Sequence, residues 1–181
     1  MKTIDISKIK ARLDGIADGF SNRVVKVGFF EGKGYNDGTP YAYVAAIHEY
    51  GSPEAGIPPR PFMRPTVEAQ SNAWSKNMQQ GMRSVARGEL TADEVLERVG
   101  RTAAGDIQTR IASNQVAPLS PVTLVLRKWR REGKPITGKT VGEAAAAYAA
   151  DPSIIGGVPA DPLQDTSMML THVQSAVGDA E

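Results

Sequence analysis

The sequence contains no cysteine, which excludes disulfide bonds, thiol catalysis and zinc–thiolate sites. Because only two histidines are present, a zinc site built from histidines alone is not expected. No apolar stretch approaches the roughly 18 to 20 residues that a bilayer span requires. The first 15 residues carry charges where a signal peptide needs an apolar run. We therefore expect no membrane contact and a protein that stays in the cytoplasm unless it leaves as part of a larger object.

The chain also lacks an excess of either charge, since 21 Lys and Arg face 20 Asp and Glu for a net charge of +1. This balance gives no general argument for nucleic-acid binding. The charges are nevertheless segregated, with a net charge of +5 over residues 121–140 and −5 over residues 151–181. Two interpretations stay open: head-to-tail contacts between copies, or pairing of the two segments within one chain.

A length of 181 residues suits a single domain over residues 1–181. Apolar periodicity predicts an amphipathic helix over 3–18, and β-branched and aromatic residues predict a strand over 23–30. Three glycines indicate a loop over 31–40, before a predicted helix over 41–50 that ends at Gly51. Five prolines between 51 and 65 exclude a helix interior or a central strand, so this segment, called the arm below, is predicted to be either extended and locally well ordered or exposed.

Two long helices are predicted next, and we expect them to pack as an antiparallel pair. The first ends at Gly88, and the second begins with a capping box formed by Thr91 and Glu94. The first carries an apolar stripe of Val67, Trp74, Met78, Met82 and Val85, and the second a stripe of Leu96, Val99, Ala103, Ile107 and Ile111. Stripes of this kind are typical of core packing, so no chemistry is assigned to them.

The pattern weakens after residue 118. A short helical or extended piece is predicted to lead into a basic run, and residues 133–161 are predicted to form an inserted flexible excursion with one helix at about 141–150. Residues 166–177 fit either one helix or a helical turn followed by a closing strand around 170–177. The resulting class is α+β, a small antiparallel sheet packed with one or two long helices.

One segment matches a nucleotide-binding pattern. Residues 133–140, from Gly133 to Lys139 and Thr140, have the spacing of a phosphate-binding loop. Such a loop follows a buried apolar strand, whereas residues 127–132 are almost all charged, so a chance match is the better interpretation. His48 and Glu49 could form a general-base pair, but a metalloprotease pattern fails because residue 52 is serine. A His–Glu pair at the end of a helix more often caps a helix or packs against neighbouring residues than it takes part in catalysis.

The basic run could contact a partner. It consists of Arg127, Lys128, Trp129, Arg130 and Arg131. The cations could bind phosphates while the tryptophan stacks on a base. Two alternatives stay open, a solvated face with one anchored tryptophan or a protein–protein contact.

Five segments occur in a distinctive order: VVKVGFFEG at 24–32, YVAAIHEYGSP at 43–53, IPPRPFMRPTVE at 57–68, PLSPVTLVLRK at 118–128 and PLQDTSMMLTHV at 162–173. Together they resemble the tail-completion and neck proteins of tailed bacteriophages, also described as minor tail or virion-morphogenesis proteins. The resemblance spans about residues 20–175. The chain departs from the family at Ser167, where glycine is usual, in the length of 133–161, and in leaving room for only a short closing strand.

The resemblance implies a structural virion protein that is not an enzyme and uses no metal or cofactor. Copies would form a ring of six that completes or terminates the tail and joins it to the head. The implied partners are other copies, the tail tube or tail terminator protein, the head connector and neck proteins, and genomic DNA that passes through without sequence-specific binding. A head-side adaptor or stopper is the main alternative, followed by a DNA-binding module that uses residues 127–131 and then a nucleotide hydrolase.

The arm and the basic run supply the candidate interface residues. The proline-rich arm loses little conformational entropy on docking, and Arg60, Phe62 and Met63 are residue types that dominate interface energies. We therefore expect Arg60 and Phe62 to anchor to a neighbouring subunit or to the tail tube. The alternative places Phe62 in its own core beside Trp74.

Overall fold

A computed structural model describes residues 6–113, 115–163 and 168–180. These residues form α-helices packed with a two-stranded antiparallel sheet, which confirms the expected α+β class. The elements in chain order are α1 (Ile6–Phe20), β1 (Arg23–Gly28), α2 (Tyr41–Tyr50), α3 (Met63–Arg87), α4 (Ala92–Ala112), α5 (Pro121–Arg131), α6 (Gly138–Ala150), α7 (Met168–His172) and β2 (Gln174–Asp179). Short 3-10 helices occur at Pro53–Ala55 and Pro152–Ile155.

The sheet pairs a strand that follows the first helix with the last strand of the described chain. Strands β1 and β2 run antiparallel over six residues each, with Arg23 opposite Asp179 and Gly28 opposite Gln174. One face lies directly on α4, where a side chain at Gly100 would come within 2.6 Å of Val25 and 2.8 Å of Ser175. Glycine at position 100 therefore permits the close approach of helix and sheet. Of the two alternatives for 166–177, a helical turn followed by a closing strand is the one confirmed over residues 168–177.

Helix α4 is the central element of the core. Its predicted capping box is present, since Thr91 Oγ1 accepts the Glu94 N–H and Glu94 Oε2 accepts the Thr91 N–H. The predicted stripe is buried throughout, at Leu96, Val99, Ala103, Ile107 and Ile111. Around the C-terminal half of α4, a cluster forms from Ala45, Phe62, Ala104, Ile107, Ile111, Leu163, Met169 and Val173.

Helix α3 packs on α4 but is less buried than its stripe predicts. It ends at Gly88, which adopts the left-handed conformation expected of a C-terminal glycine. Trp74 donates from Nε1 to Asp106 Oδ2 of α4 at 2.7 Å. Val67 and Met82, however, are 47% and 42% exposed, so the stripe was wrong as a prediction of core at these two positions. Helix α4 covers only part of the width of the α3 stripe, and the rest of the stripe faces solvent.

Residues 133–161 form defined structure on the surface of α5. They contain α6 and the second 3-10 helix, and both pack against α5. The helix predicted at about 141–150 is confirmed, although it begins earlier, at Gly138. The flexibility predicted for this segment stays a prediction, and Ser167 lies outside the described residues. No helix within the described ranges is long and apolar enough to cross a membrane.

Candidate assembly surface

Two of the five segments, 43–53 and 57–68, meet at the N-terminus of α3, where Glu49 acts as a cap. From the last turn of α2, its Oε2 accepts the N–H groups of Phe62 at 2.8 Å and Met63 at 2.9 Å. Its Oε1 accepts the Arg64 N–H at 3.0 Å and Arg64 Nε at 2.9 Å. A carboxylate here satisfies helix N–H groups that have no partner within the helix, and it opposes the positive end of the helix dipole. We call this arrangement the Glu49 cap.

The protonation of Glu49 reflects two opposing effects. Burial of the carboxyl group raises its pKa, but the N–H donors of Arg64, Met63 and Phe62 and the Arg64 side chain outweigh burial, so the pKa lies below its ordinary value. Glu49 is therefore ionised at neutral pH. The predicted capping or packing role of the His48–Glu49 pair is confirmed for Glu49, which caps a helix 13 residues further along the chain.

Arg60 and Phe62 do not lie on the surface, which corrects the expectation that they anchor to a partner. Phe62 is fully buried against Phe29, with its ring edge-on at 6.2 Å, and not beside Trp74. Arg60 is 4% exposed and donates from Nε and Nη2 to the carbonyl oxygens of Ala117 and Pro118, both at 2.8 Å. Both side chains connect the arm to its own domain, so neither presents a contact surface to a neighbour in this conformation.

The arm itself is folded back onto α2. Ser52 and Ile57 exchange two backbone hydrogen bonds at 2.9 Å, and the Arg60 N–H donates to the His48 carbonyl. Met63, the third candidate interface residue of the arm, is partly buried against the core cluster. The arm is therefore an ordered connection between α2 and α3, as its fixed proline angles favour.

Two of the five members of the basic run also make contacts inside the domain. Arg127 is buried and donates from Nη1 to the carbonyl oxygens of Pro159 at 2.7 Å and Asp161 at 3.1 Å. Lys128 donates to the Ile154 carbonyl at 3.1 Å. Of the two interpretations of the opposed segments, these contacts favour pairing within one chain.

The remaining members of the run differ in exposure. The half-buried Trp129 ring is covered by the Lys134 ammonium at 3.4 Å from its centroid, so that this face is not free to stack on a base. Arg130 and Arg131 are exposed. Within the domain, Arg127, Lys128 and one face of the Trp129 ring therefore already have contacts, and Arg130 and Arg131 are the exposed cations of the run.

The segment 133–140 does not have the setting of a phosphate-binding loop. It follows helix α5 and not a strand. Thr137 and Thr140 form a capping box at the start of α6, and the buried Thr140 hydroxyl donates to the Thr137 carbonyl at 2.7 Å. That hydroxyl, which holds magnesium in a true loop, is thus occupied by local structure.

A surface that sequence analysis did not identify lies beside the Glu49 cap. Its members are exposed side chains of α2 and the start of α3: Tyr43, Tyr50, Arg64 and Val67. The two tyrosines are 60% and 66% exposed and lie seven residues apart, on one side of α2. The Arg64 guanidinium lies 4.9 Å from the centroid of the Tyr50 ring. We call this the α2–α3 surface, and tyrosine and arginine are the residue types most enriched where binding energy concentrates.

Comparison with known proteins finds no matching family model, no matching curated protein and no matching solved structure. Within the described part of the chain, no group of three or more His, Asp or Glu residues could hold a metal ion.

Proposed function

We propose that this protein is a structural component of a tailed-bacteriophage virion that completes the tail and joins it to the head. Copies would form a ring, of six as the resemblance implies, between the tail tube or terminator protein and the head connector and neck proteins. Genomic DNA would pass through the ring without sequence-specific contacts. The site of action would be the tail or neck of the virion, after synthesis in the host cytoplasm.

One structural observation supports the proposal beyond the order of the five segments. The α2–α3 surface places exposed tyrosines and a valine on a rigid base, because the Glu49 cap fixes α2 against α3 through three backbone hydrogen bonds. A preorganised surface loses little entropy on docking, which suits an irreversible joint. We assign the contact between copies to this surface.

The assembly contact is tested with two valines of similar exposure. Val67 on the α2–α3 surface is 47% exposed, and Val141 on α6 is 44% exposed. We expect Val67→Asp to abolish plaque formation when supplied in trans to a phage whose own copy carries an early stop codon, whereas Val141→Asp restores it. The free energy of unfolding of both purified variants should lie within about 0.5 kcal/mol of the wild-type value, because both side chains face solvent. Equal rescue by the two variants would refute the assignment of this surface.

The joining role is tested with the stop-codon phage itself. Electron microscopy of its lysate should show filled heads beside unattached tails. Tails of normal length would support completion, and over-long tails would support termination. Tails carrying a complete neck beside heads that have lost their DNA would instead assign the protein to the head side, as an adaptor or stopper. Intact infectious particles would refute the proposal.

A further inference from the structure

The outer edge of strand β2 presents a row of unpaired backbone groups. The Ala180 N–H donates to the Asn22 carbonyl at 2.8 Å, which fixes the alternation of hydrogen-bonded pairs along the two strands. Ser175, Val177 and Asp179 occupy the alternate positions, so their backbone N–H and C=O groups point away from β1. Within the described residues, none of these backbone groups has a hydrogen-bond partner. The edge can therefore accept another strand.

The edge of β2 borders solvent and is not protected. Gln108 of α4 donates from Nε2 to the Val173 carbonyl at 3.2 Å, directly before β2, so this side of α4 adjoins the edge. Glu97 and Arg101 share that side of the helix by their spacing, and both are exposed. Natural edge strands are commonly guarded by proline, lysine or a bulge. Strand β2 has none of these, whereas β1 carries the exposed Lys26.

Helix α4 covers two strands and no more. A side chain at Gly100 would come within 2.6 Å of Val25 on β1 and 2.8 Å of Ser175 on β2, so α4 lies over the middle of the pair. A helix about 10 Å wide spans about two strands that are spaced about 4.8 Å apart. A third strand from an unrelated protein would therefore have no helix beneath it. A second copy of this chain brings its own α4 and gives four strands backed by two helices.

We propose that β2 pairs antiparallel with β2 of a second copy, about a two-fold axis at Val177, to form a closed dimer. In this register Val177 lies opposite Val177 of the second copy, and Ser175 lies opposite Asp179. Each of these pairs exchanges two backbone hydrogen bonds between the copies. A register centred on Ala176 would need the backbone of Val173, whose carbonyl already accepts Gln108.

The side chains on both faces are compatible with this register. On the α4 side, the Asp179 carboxylate pairs with Arg23 at 2.8 Å and would lie opposite a serine, so no like charges meet across the strands. On the other side, Ala176 would lie opposite Gly178, where a side chain has open space. The dimer uses none of the residues of the α2–α3 surface. It therefore goes beyond the proposed function, and the two proposals can fail separately.

Cysteine cross-linking tests the register. The natural chain has no cysteine, so Ala176→Cys and Gly178→Cys each introduce a single thiol. In the proposed dimer the two positions face each other with Cα atoms about 4.5 Å apart, within the range of a disulfide. Like positions lie about 7 to 8 Å apart, which is too far for ready cross-linking. Under mild oxidation, we expect an equimolar mixture of the variants to form covalent dimer about tenfold faster than either variant alone.

Sedimentation equilibrium tests the backbone contact. We expect the wild type to be a dimer with a micromolar dissociation constant. Val177→Pro removes the outward N–H but keeps the bonds between β1 and β2, and an edge strand tolerates such a proline. Its dimer should be about thirtyfold weaker than that of Val177→Ala, because two hydrogen bonds between copies are lost. Val67→Asp, on the α2–α3 surface, should dimerise as the wild type does.

Three results would overturn the inference. The first is a wild type that remains monomeric up to about 100 μM, well above the expected dissociation constant. The second is a dimer that Val67→Asp dissociates and Val177→Pro does not, which would place the contact on the α2–α3 surface. The third is cross-linking of Ala176→Cys alone as fast as the mixture, which would exclude the register centred on Val177.

Discussion

Removal of the Glu49 carboxylate should destabilise the fold in proportion to the helix N–H groups that it leaves unpaired. In Glu49→Ala, three backbone donors lose their acceptor, and that of Phe62 belongs to a fully buried residue that water does not reach. At about 1 kcal/mol for each net hydrogen bond, the expected loss is about 3 kcal/mol. In Glu49→Gln one side-chain oxygen remains as an acceptor, but the new amide NH₂ faces the N–H and guanidinium of Arg64. We therefore expect this variant to lose about 2 kcal/mol of stability.

Urea unfolding followed by circular dichroism at neutral pH measures both losses, and a loss of 3 kcal/mol corresponds to a decrease in Tm of roughly 6 to 12 °C. Glu68→Gln is the matched control, because Glu68 is an exposed acid in the same helix and should cost less than about 0.5 kcal/mol. If Glu49→Ala loses less than about 1 kcal/mol, the cap does not hold α2 to α3. Equal losses for Glu49→Gln and Glu68→Gln would show that general charge at the helix start, and not the cap, is responsible.

Two further predictions concern protonation and packing. In the unfolded chain His48 has a pKa of about 6.5, whereas in the folded protein its pKa is about 4. Between these two values the unfolded state binds a proton that the folded state does not. The free energy of unfolding should therefore fall by up to about 3 kcal/mol as the pH drops from 6.5 to 4. His48→Gln should lessen this loss in urea titrations across that range, and an unchanged profile would contradict it. Gly100→Ala should cost about 2 kcal/mol, because its methyl group would lie 2.6 Å from Val25, whereas Gly105→Ala has open space and should gain up to about 1 kcal/mol of helix propensity. Equal Tm values for the two glycine variants would refute the close-packing argument.

Local signals were sufficient to predict much of the fold. The helix predicted over 41–50 is confirmed at both ends, as are the Thr91–Glu94 capping box and the end of the first long helix at Gly88. Each depends on residues at most four apart, so the sequence window contains the whole interaction. The apolar stripe of α4 was predicted correctly for a similar reason. Residues three or four apart share one helix face, and in α4 that face is buried along its whole length.

The Glu49 cap could not be predicted because its partners lie 13 to 15 residues away, beyond an arm whose path the prolines do not fix. The α2–α3 surface was missed for a related reason. Tyr43 and Tyr50 have the spacing of a buried helix face, and only the position of α3 decides which side of α2 is covered. The exposure of Val67 and Met82 could not be predicted for the same reason. Apolar spacing identifies one face of a helix, but it does not show how much of that face a neighbouring element covers.

The arginines show why charge in the sequence is a poor guide to a binding surface. Prolines have no N–H groups and interrupt regular pairing, so the carbonyl oxygens around them need donors from elsewhere. Arg60 bonds to the carbonyls of Ala117 and Pro118, and Arg127 to those of Pro159 and Asp161. A guanidinium suits this role because its five N–H donors spread over a rigid plane and can reach two carbonyls at once. In this chain with twelve prolines, Arg60 and Arg127 are therefore buried as donors to two irregular segments, which accounts for their burial without any partner.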